Sequence, residues 1–139
     1  MKALYKMALD FGRQGELGGV FVAEKAYINY LTSHEIEVSF GEALGKYSDI
    51  AAVIDENDIK LITDDTKVIE VVKEYNLESG YNPLDQAIGY ATETPENGVD
   101  WNDCTVEEFI EFKLNGTIPD YYKKDHEEWL KSHGNDKQQ

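Results

Sequence analysis

Residues 41–49 form a polar segment with two glycines between two runs of strand-forming residues, 35–40 and 50–54. Glycine permits positive φ and close backbone approach to a ligand, at an entropic cost that a plain hairpin avoids. Polar connections held between rigid strands are common positions for binding sites. The segment contains no nucleophile–base pair and no set of metal ligands, so it favours binding over catalysis.

Hydrophobic periodicity predicts the order β-β-α-β-β-β-α for the first 80 residues. The predicted strands are 3–9, 20–22, 35–40, 50–54 and 59–63, and the first helix is 23–33. Four glycines between residues 11 and 19 indicate a wide tip for the first hairpin. The apolar run 50–54 is expected to be a buried central strand. Ile36, Val38 and Phe40 are expected to share one face of their strand.

A second helix is predicted to begin after Asp64 or Asp65, either of which can serve as its N-cap. Five apolar residues are expected to form its buried face: Val68, Ile69, Val71, Val72 and Tyr75. Together these elements predict an α+β fold, with a small antiparallel or mixed sheet and packed helices.

The last third of the chain predicts further helices. Residues 81–102 have the pattern of a loop, with a short helical turn over 83–88. Thr105 and Glu108 form a capping box that begins a helix, and Asn115–Gly116 ends it. Another helix begins near Asp120. We therefore expect an α+β ligand-binding core over 1–100, a C-terminal helical hairpin over 101–134 and a frayed tail over 135–139.

The charge of the chain restricts its partners. The 28 acidic and 13 basic residues give a formal charge of −15. Nucleic-acid binding uses a basic face, so this charge argues against DNA or RNA as a partner. The acidity either keeps the protein soluble or imitates nucleic acid in the basic groove of another protein. The second alternative involves residues 85–112, which contain eight acids and no base.

Targeting signals and metal sites are not expected. No run approaches the roughly 18 apolar residues of a membrane span, and the N-terminus lacks the apolar region of a signal peptide. A single cysteine, Cys104, fits a reducing cytoplasm and predicts a small buried thiol. His34, His126 and His133 are far apart and lack metal-ligand spacing. We expect no membrane partner, no metal and no cofactor.

Two cations are candidates for binding an anion. Arg13, the only arginine, lies among glycines, and a guanidinium is the usual bidentate partner of phosphate; the alternative is a surface pair with Glu16. Lys46 and Ser48 follow Gly45 but do not form a P-loop, because a strand follows instead of a helix. Two interpretations of this segment remain. Either Lys46, Ser48 and backbone N–H groups together bind a phosphate, or the segment is a solvated hairpin tip.

Three segments resemble blocks of the phage Thoeris anti-defence family: 10–17 (DFGRQGEL), 40–48 (FGEALGKYS) and 80–85 (GYNPLD). Members of this family are sponges that sequester cyclic ADP-ribose isomers made by bacterial TIR-domain enzymes. The resemblance covers about residues 3–85 and leaves the acidic C-terminal part unmatched. It implies an α+β protomer, a symmetric homo-oligomer with pockets near subunit junctions, no catalysis, and a place in the cytosol of the host bacterium.

The residues expected to bind the ligand combine these glycine positions with nearby cations and aromatic rings. They are Gly12, Arg13, Gly15, Phe40, Gly41, Gly45, Lys46, Tyr47, Ser48, Tyr81 and Asn82. Arg13 and Lys46 would meet phosphates. Tyr47 or Tyr81 would stack on adenine, and Asn82 and Ser48 would bond to ribose or to base edges.

Two functions of different classes follow from the sequence. The first is sequestration, without catalysis, of a cyclic nucleotide immune signal, which would block bacterial anti-phage defence. The second is an acidic inhibitor that covers the basic groove of a host defence protein with residues 85–111 and the C-terminal helices.

Overall fold

The computed structural model of the chain describes residues 1–45, 49–91 and 94–133. Within these residues it confirms the α+β class, with four α-helices and two antiparallel sheets. The strands are β1 (Lys2–Asp10), β2 (Glu16–Glu24), β3 (Glu37–Gly41), β4 (Ile50–Val53), β5 (Ile59–Thr63), β6 (Ser79–Gly80) and β7 (Ala87–Tyr90). The helices are α1 (Lys25–Ser33), α2 (Thr66–Glu74), α3 (Val106–Asn115) and α4 (Lys123–His133).

The first sheet has the strand order β5-β1-β2-β6 and is built on a long hairpin of β1 and β2. Pairing continues to Asp10 and Glu16, so the expectation of a wide tip is wrong. Gly18 and Gly19 lie inside β2 because β6 and the residue after it pass close to this strand. A Cβ on Gly19 would lie 2.0 Å from the carbonyl oxygen of Tyr81. These glycines therefore permit a close backbone approach within the sheet.

The second sheet has the strand order β4-β3-β7. The prediction that 50–54 is a central strand is wrong, because β4 lies at the edge and exposes Val53. The chain turns after Ile54, and β5 then pairs with β1 in the other sheet. An apolar run indicates a local preference for strand structure. Which strands pair with it on either side depends on how the rest of the chain folds. The central strand is β3, where Val38 and Phe40 share one face as predicted, and this face is buried.

One large core joins the two sheets with α1 and α3. The alternation predicted for β1 is confirmed, since Ala3, Tyr5, Met7 and Leu9 are all buried in this core. Helix α1 begins at Lys25 because Ala23 and Glu24 extend β2, and it buries Ile28 and Leu31. Helix α3 contributes Val106, Phe109 and Ile110 to the same core, beside Trp101.

Helix α2 packs on the opposite face of the first sheet. Asp65 is its N-cap, with the side chain accepting from the backbone N–H of Lys67 at 2.9 Å. The predicted buried face is wrong: Val72 is buried, but Val68, Val71 and Tyr75 are 40, 46 and 66% exposed. The sheet covers one side of a helix that has apolar residues on two sides.

The C-terminal predictions are confirmed at the level of local structure. The N–H of Glu108 donates to Thr105 Oγ1 (3.2 Å), and the N–H of Thr105 donates to Glu108 Oε1 (2.9 Å), which completes the capping box. Gly116 ends α3 with a φ of +74°. Segment 81–102 contains strand β7 as well as loop, and the expected turn over 83–88 is a 3₁₀ turn at Pro83–Asp85. No described helix is long and apolar enough to cross a membrane.

Candidate functional site

The three segments that resemble the sponge family meet at one end of the molecule. The backbone N–H of Tyr81 donates to the carbonyl of Gly18 at 3.0 Å, beside the β1–β2 hairpin. The Phe40 and Tyr81 rings meet edge to face, with centroids 5.9 Å apart at 88°. The Leu44 side chain lies 3.5 Å from the position of a Cβ on Gly15. We call residues 11–15, 40–45 and 80–81 the glycine-loop end.

The hairpin tip is a tight turn with a backbone that requires glycine. The N–H of Phe11 donates to Gly15 O at 2.9 Å, and the N–H of Gly15 donates to Gly12 O at 3.1 Å. Gly12 and Gly15 have φ of +65° and +118°, where L side chains are strained. Asp10 Oδ1 accepts from the N–H of Gly12 at 2.8 Å. These bonds fix the direction in which the tip presents its side chains.

Arg13 is exposed on this tip. The alternative ion pair between Arg13 and Glu16 is not formed. Arg13 has no ion pair with any other residue that the structure describes. The guanidinium fork is therefore free to bind an anion that approaches the hairpin tip.

The second segment leaves β3 through Gly41, which has a φ of +66° at an irregularity in the β3–β4 pairing. Ala43 and Leu44 pack against the core, and Gly45 is exposed. Lys46, Tyr47 and Ser48 lie outside the described residues, so their predicted contacts with phosphate, adenine and ribose stay predictions.

The third segment places its two polar residues differently. Tyr81 is half-buried against the core beside Phe40. The Asn82 side-chain oxygen accepts from the N–H of Leu84 at 3.0 Å and begins the 3₁₀ turn, which leaves its amide N–H₂ for other partners. Asn82 also lines a separate cleft of about 350 Å³. Tyr81 thus belongs to the glycine-loop end, while Asn82 contributes to that cleft.

The cleft beside Asn82 has the wrong charge for phosphate. Lys2 and Lys73 line it, together with four carboxylates: Glu24, Glu78, Asp85 and Glu107. Lys73 is paired with Glu78 at 2.8 Å. Burial raises the pKa of Glu78, but Lys73 and the N–H of Val22 outweigh it and leave the pKa below its usual value.

Elsewhere in this cleft, burial and then the neighbouring Asp85 raise the pKa of Glu107. Two carboxylates close enough to affect each other make this cleft unfavourable for an anion.

A cavity of about 450 Å³ on the outer side of the hairpin has a better composition for an anion. Gly18, Gly19 and Gly80 line it, and Lys6 and Glu16 supply its charges. This volume is within the range of small-molecule sites. Lys6 was not among the predicted binding residues. The alternation of β1 places Lys6 on the outer face, and its proximity to the glycines follows only from the β1–β2 register.

Several acids between residues 85 and 112 serve the fold of the C-terminal helices. Besides closing the capping box, Glu108 accepts from Tyr121 Oη at 2.7 Å. Glu111 accepts from Asn115 and Thr117. Asp100 caps a 3₁₀ turn, and Asp103 accepts a hydrogen bond from the Tyr122 hydroxyl. Four of the eight acids between 85 and 112 are therefore bound internally.

The cysteine and two of the histidines have contacts within the fold. Cys104 is buried, and burial raises the pKa of its thiol, which keeps it protonated and unreactive. His34 and His126 bond to backbone carbonyls in different parts of the fold, Tyr30 O and Asn97 O. Within the described ranges, no group of three or more His, Cys, Asp and Glu side chains is placed to hold a metal ion.

In comparisons with known proteins, no family model, no curated protein and no solved structure matches this chain. The functional interpretation therefore depends on the three resembling segments and on the geometry of the residues themselves.

Proposed function

We propose that this protein binds a small nucleotide signal and holds it unchanged, as a sponge for a cyclic ADP-ribose isomer. The supporting observation is that three segments distant in sequence meet at the glycine-loop end, through the contacts between Phe40 and Tyr81 and between Gly15 and Leu44. Such sequestration would lower the free signal and block the anti-phage defence that depends on it.

The residue types in the three segments match the parts of such a ligand. The Arg13 guanidinium would bind phosphate, with Lys46 as a second cation. The half-buried Tyr81 ring, held by Phe40, would stack on adenine. Ser48, and the amide group of Asn82 from the neighbouring cleft, would bond to ribose or base edges. The ligand would be bound and released without a chemical step.

The overall charge of −15 opposes a diphosphate ligand at long range. Screening limits this field to about 8 Å at physiological salt. Within that distance the neighbouring side chains determine the binding energy, and the cation at the hairpin tip is Arg13, which has no ion pair among the described residues. We therefore expect binding to depend strongly on this one side chain.

Calorimetric titration with ADP-ribose, its cyclic isomers, NAD and short cyclic oligonucleotides tests the proposal. One cyclic species should bind and be recovered intact by chromatography. Arg13→Ala should weaken its binding by about 1.5–3 kcal/mol, the scale of a charge-assisted hydrogen bond. Lys124→Ala on α4 is the matched control and should bind normally. If none of these nucleotides binds, the sponge function is contradicted. If Arg13→Ala binds the ligand as tightly as the wild type does, Arg13 is not part of the site.

The second candidate function, an acidic inhibitor of a basic host protein, depends on a smaller surface than the sequence indicates. Asp85 and Glu107 lie close enough for one to raise the pKa of the other, and neither is used as a cap. Charge reversal at both should abolish association with a basic partner and its steep salt dependence. Glu108 is unsuitable for this test, because its reversal would also break the cap of α3. Unchanged association would exclude the inhibitor function.

A further inference from the structure

In the part of the chain that the structure describes, exposed apolar side chains are concentrated on α2 and the residues around it. Among the described residues, six of the twelve large apolar side chains that are exposed lie between 61 and 77. They are Leu61, Ile62, Val68, Val71, Tyr75 and Leu77, with exposures from 40 to 66%. Single exposed apolar residues are ordinary, but a contiguous group marks an interaction surface.

On α2 these residues form a regular stripe. Val68, Val71 and Tyr75 follow the spacing i, i+3, i+7, so they lie on one side of the helix axis. The sheet is packed against a different side, through Val72 and the half-buried Ile69. The helix therefore has two apolar faces: one packs on the sheet, and the stripe is the other.

This surface is nearly neutral in a chain of charge −15. Residues 59–77 contain three lysines and four acids. Asp64 is paired with Lys25 at 2.6 Å and Lys73 with Glu78 at 2.8 Å, so the surface together with these two partners has a net charge of −1. Two copies of the chain repel each other over most of their surfaces, so a neutral apolar surface is where they can approach.

Two charged residues beside the stripe indicate the orientation of the partner. Lys67 lies in the first turn of α2 and Glu74 in the last. They are seven residues apart, about two turns, so they flank the stripe on the same side. Neither forms an ion pair with any residue that the structure describes. When two such helices meet antiparallel, Lys67 of each copy faces Glu74 of the other.

We propose that α2 is the contact of a two-fold dimer, in which the Val68–Val71–Tyr75 stripes of two copies pack antiparallel. The two Lys67–Glu74 pairs lie together along one side of this contact. The arrangement is isologous, as expected for a dimer with two-fold symmetry. This inference does not rest on the proposed ligand.

Sedimentation velocity across roughly 1–100 µM, the range of moderate dimer affinities, tests the surface. The wild type should dimerise, and Val71→Glu should weaken self-association by about 100-fold or more, because both copies place the charge in one interface. Leu130→Glu, on an exposed position of α4, is the matched control and should dimerise normally. A wild type that stays monomeric, or equal effects of the two variants, would overturn the proposal.

A charge swap tests the antiparallel orientation independently. Lys67→Glu and Glu74→Lys should each weaken the dimer by about 3- to 10-fold, and the double variant should recover it. The two single changes shift the net charge in opposite directions, so a general charge effect cannot weaken both. Failure of the double variant to recover dimerisation would overturn the antiparallel contact.

Discussion

Helices α2 and α3 have similar lengths and N-terminal caps, but different packing. Helix α3 places Val106, Phe109 and Ile110 in the main core, each at most 1% exposed. Helix α2 has four apolar residues where α3 has five, yet Val72 is its only buried one among the described residues. The difference shows that an apolar helical pattern identifies a face that needs a partner. It does not identify whether that partner belongs to the same chain.

The largest expected difference between the two helices is the cost of truncating an apolar side chain. Phe109→Ala should destabilise the monomer by about 3–5 kcal/mol, because it removes a buried ring that contacts Trp101. Val71→Ala should change it by less than about 0.5 kcal/mol. Urea unfolding at low protein concentration, where the proposed dimer is dissociated, measures both values.

Repeating this measurement at high protein concentration sharpens the comparison. If a second copy covers α2, Val71→Ala should become destabilising as concentration rises, while the effect of Phe109→Ala should not change. A Val71 effect independent of concentration would indicate that α2 remains uncovered.

The next difference concerns the helix caps. Thr105→Ala removes the hydroxyl half of the α3 capping box and should cost about 1–2 kcal/mol of global stability. Asp65→Ala removes a single cap bond from α2, so about 0.5–1 kcal/mol is expected.

Hydrogen exchange distinguishes where each loss acts. Because α2 is held by few buried contacts, the loss of Asp65 should speed amide exchange within α2 alone. The loss of Thr105 should speed exchange in the whole core that α3 shares. Uniform acceleration in both variants would show that α2 opens only with the rest of the fold.

Elements determined by neighbouring residues were predictable from the sequence. The β1 alternation, the capping box of α3 and the αL glycine at its end depend on residues a few positions apart. The errors concern partners distant in the chain. Strand β4 is at an edge because β5 joins the other sheet. Gly19 is inside a strand because the Tyr81 backbone passes it.

The candidate site was predictable to the same extent. The exposure of Arg13 on a glycine turn follows from local sequence. That Gly15 meets Leu44, and that Phe40 meets Tyr81, depends on how the two sheets share a core, which spacing does not encode. Lys6 joins the glycine cavity only through the β1–β2 register. Residue types therefore indicated the chemistry of the site, and the fold determined which of them are neighbours.

The smallest expected effect is at the hydrogen bond between Tyr122 and Asp103, which joins the segment before α4 to the turn before α3. The Tyr122 hydroxyl donates to Asp103 at 2.9 Å, and this bond raises the pKa of Tyr122 to about 12. Because the folded pKa is above the unfolded value of 10, the contribution of this bond is complete below pH 10. It is lost as pH rises from about 10 to 12.

Ultraviolet titration of tyrosine should therefore show a late component near pH 12 that is missing in Tyr122→Phe. Asp103→Asn keeps an acceptor but removes the charge, so it should move this component to lower pH without removing it. The stability difference between wild type and Tyr122→Phe should also decrease across this pH window. A difference that stays constant would show that the phenolic proton does not hold the C-terminal segment to the core.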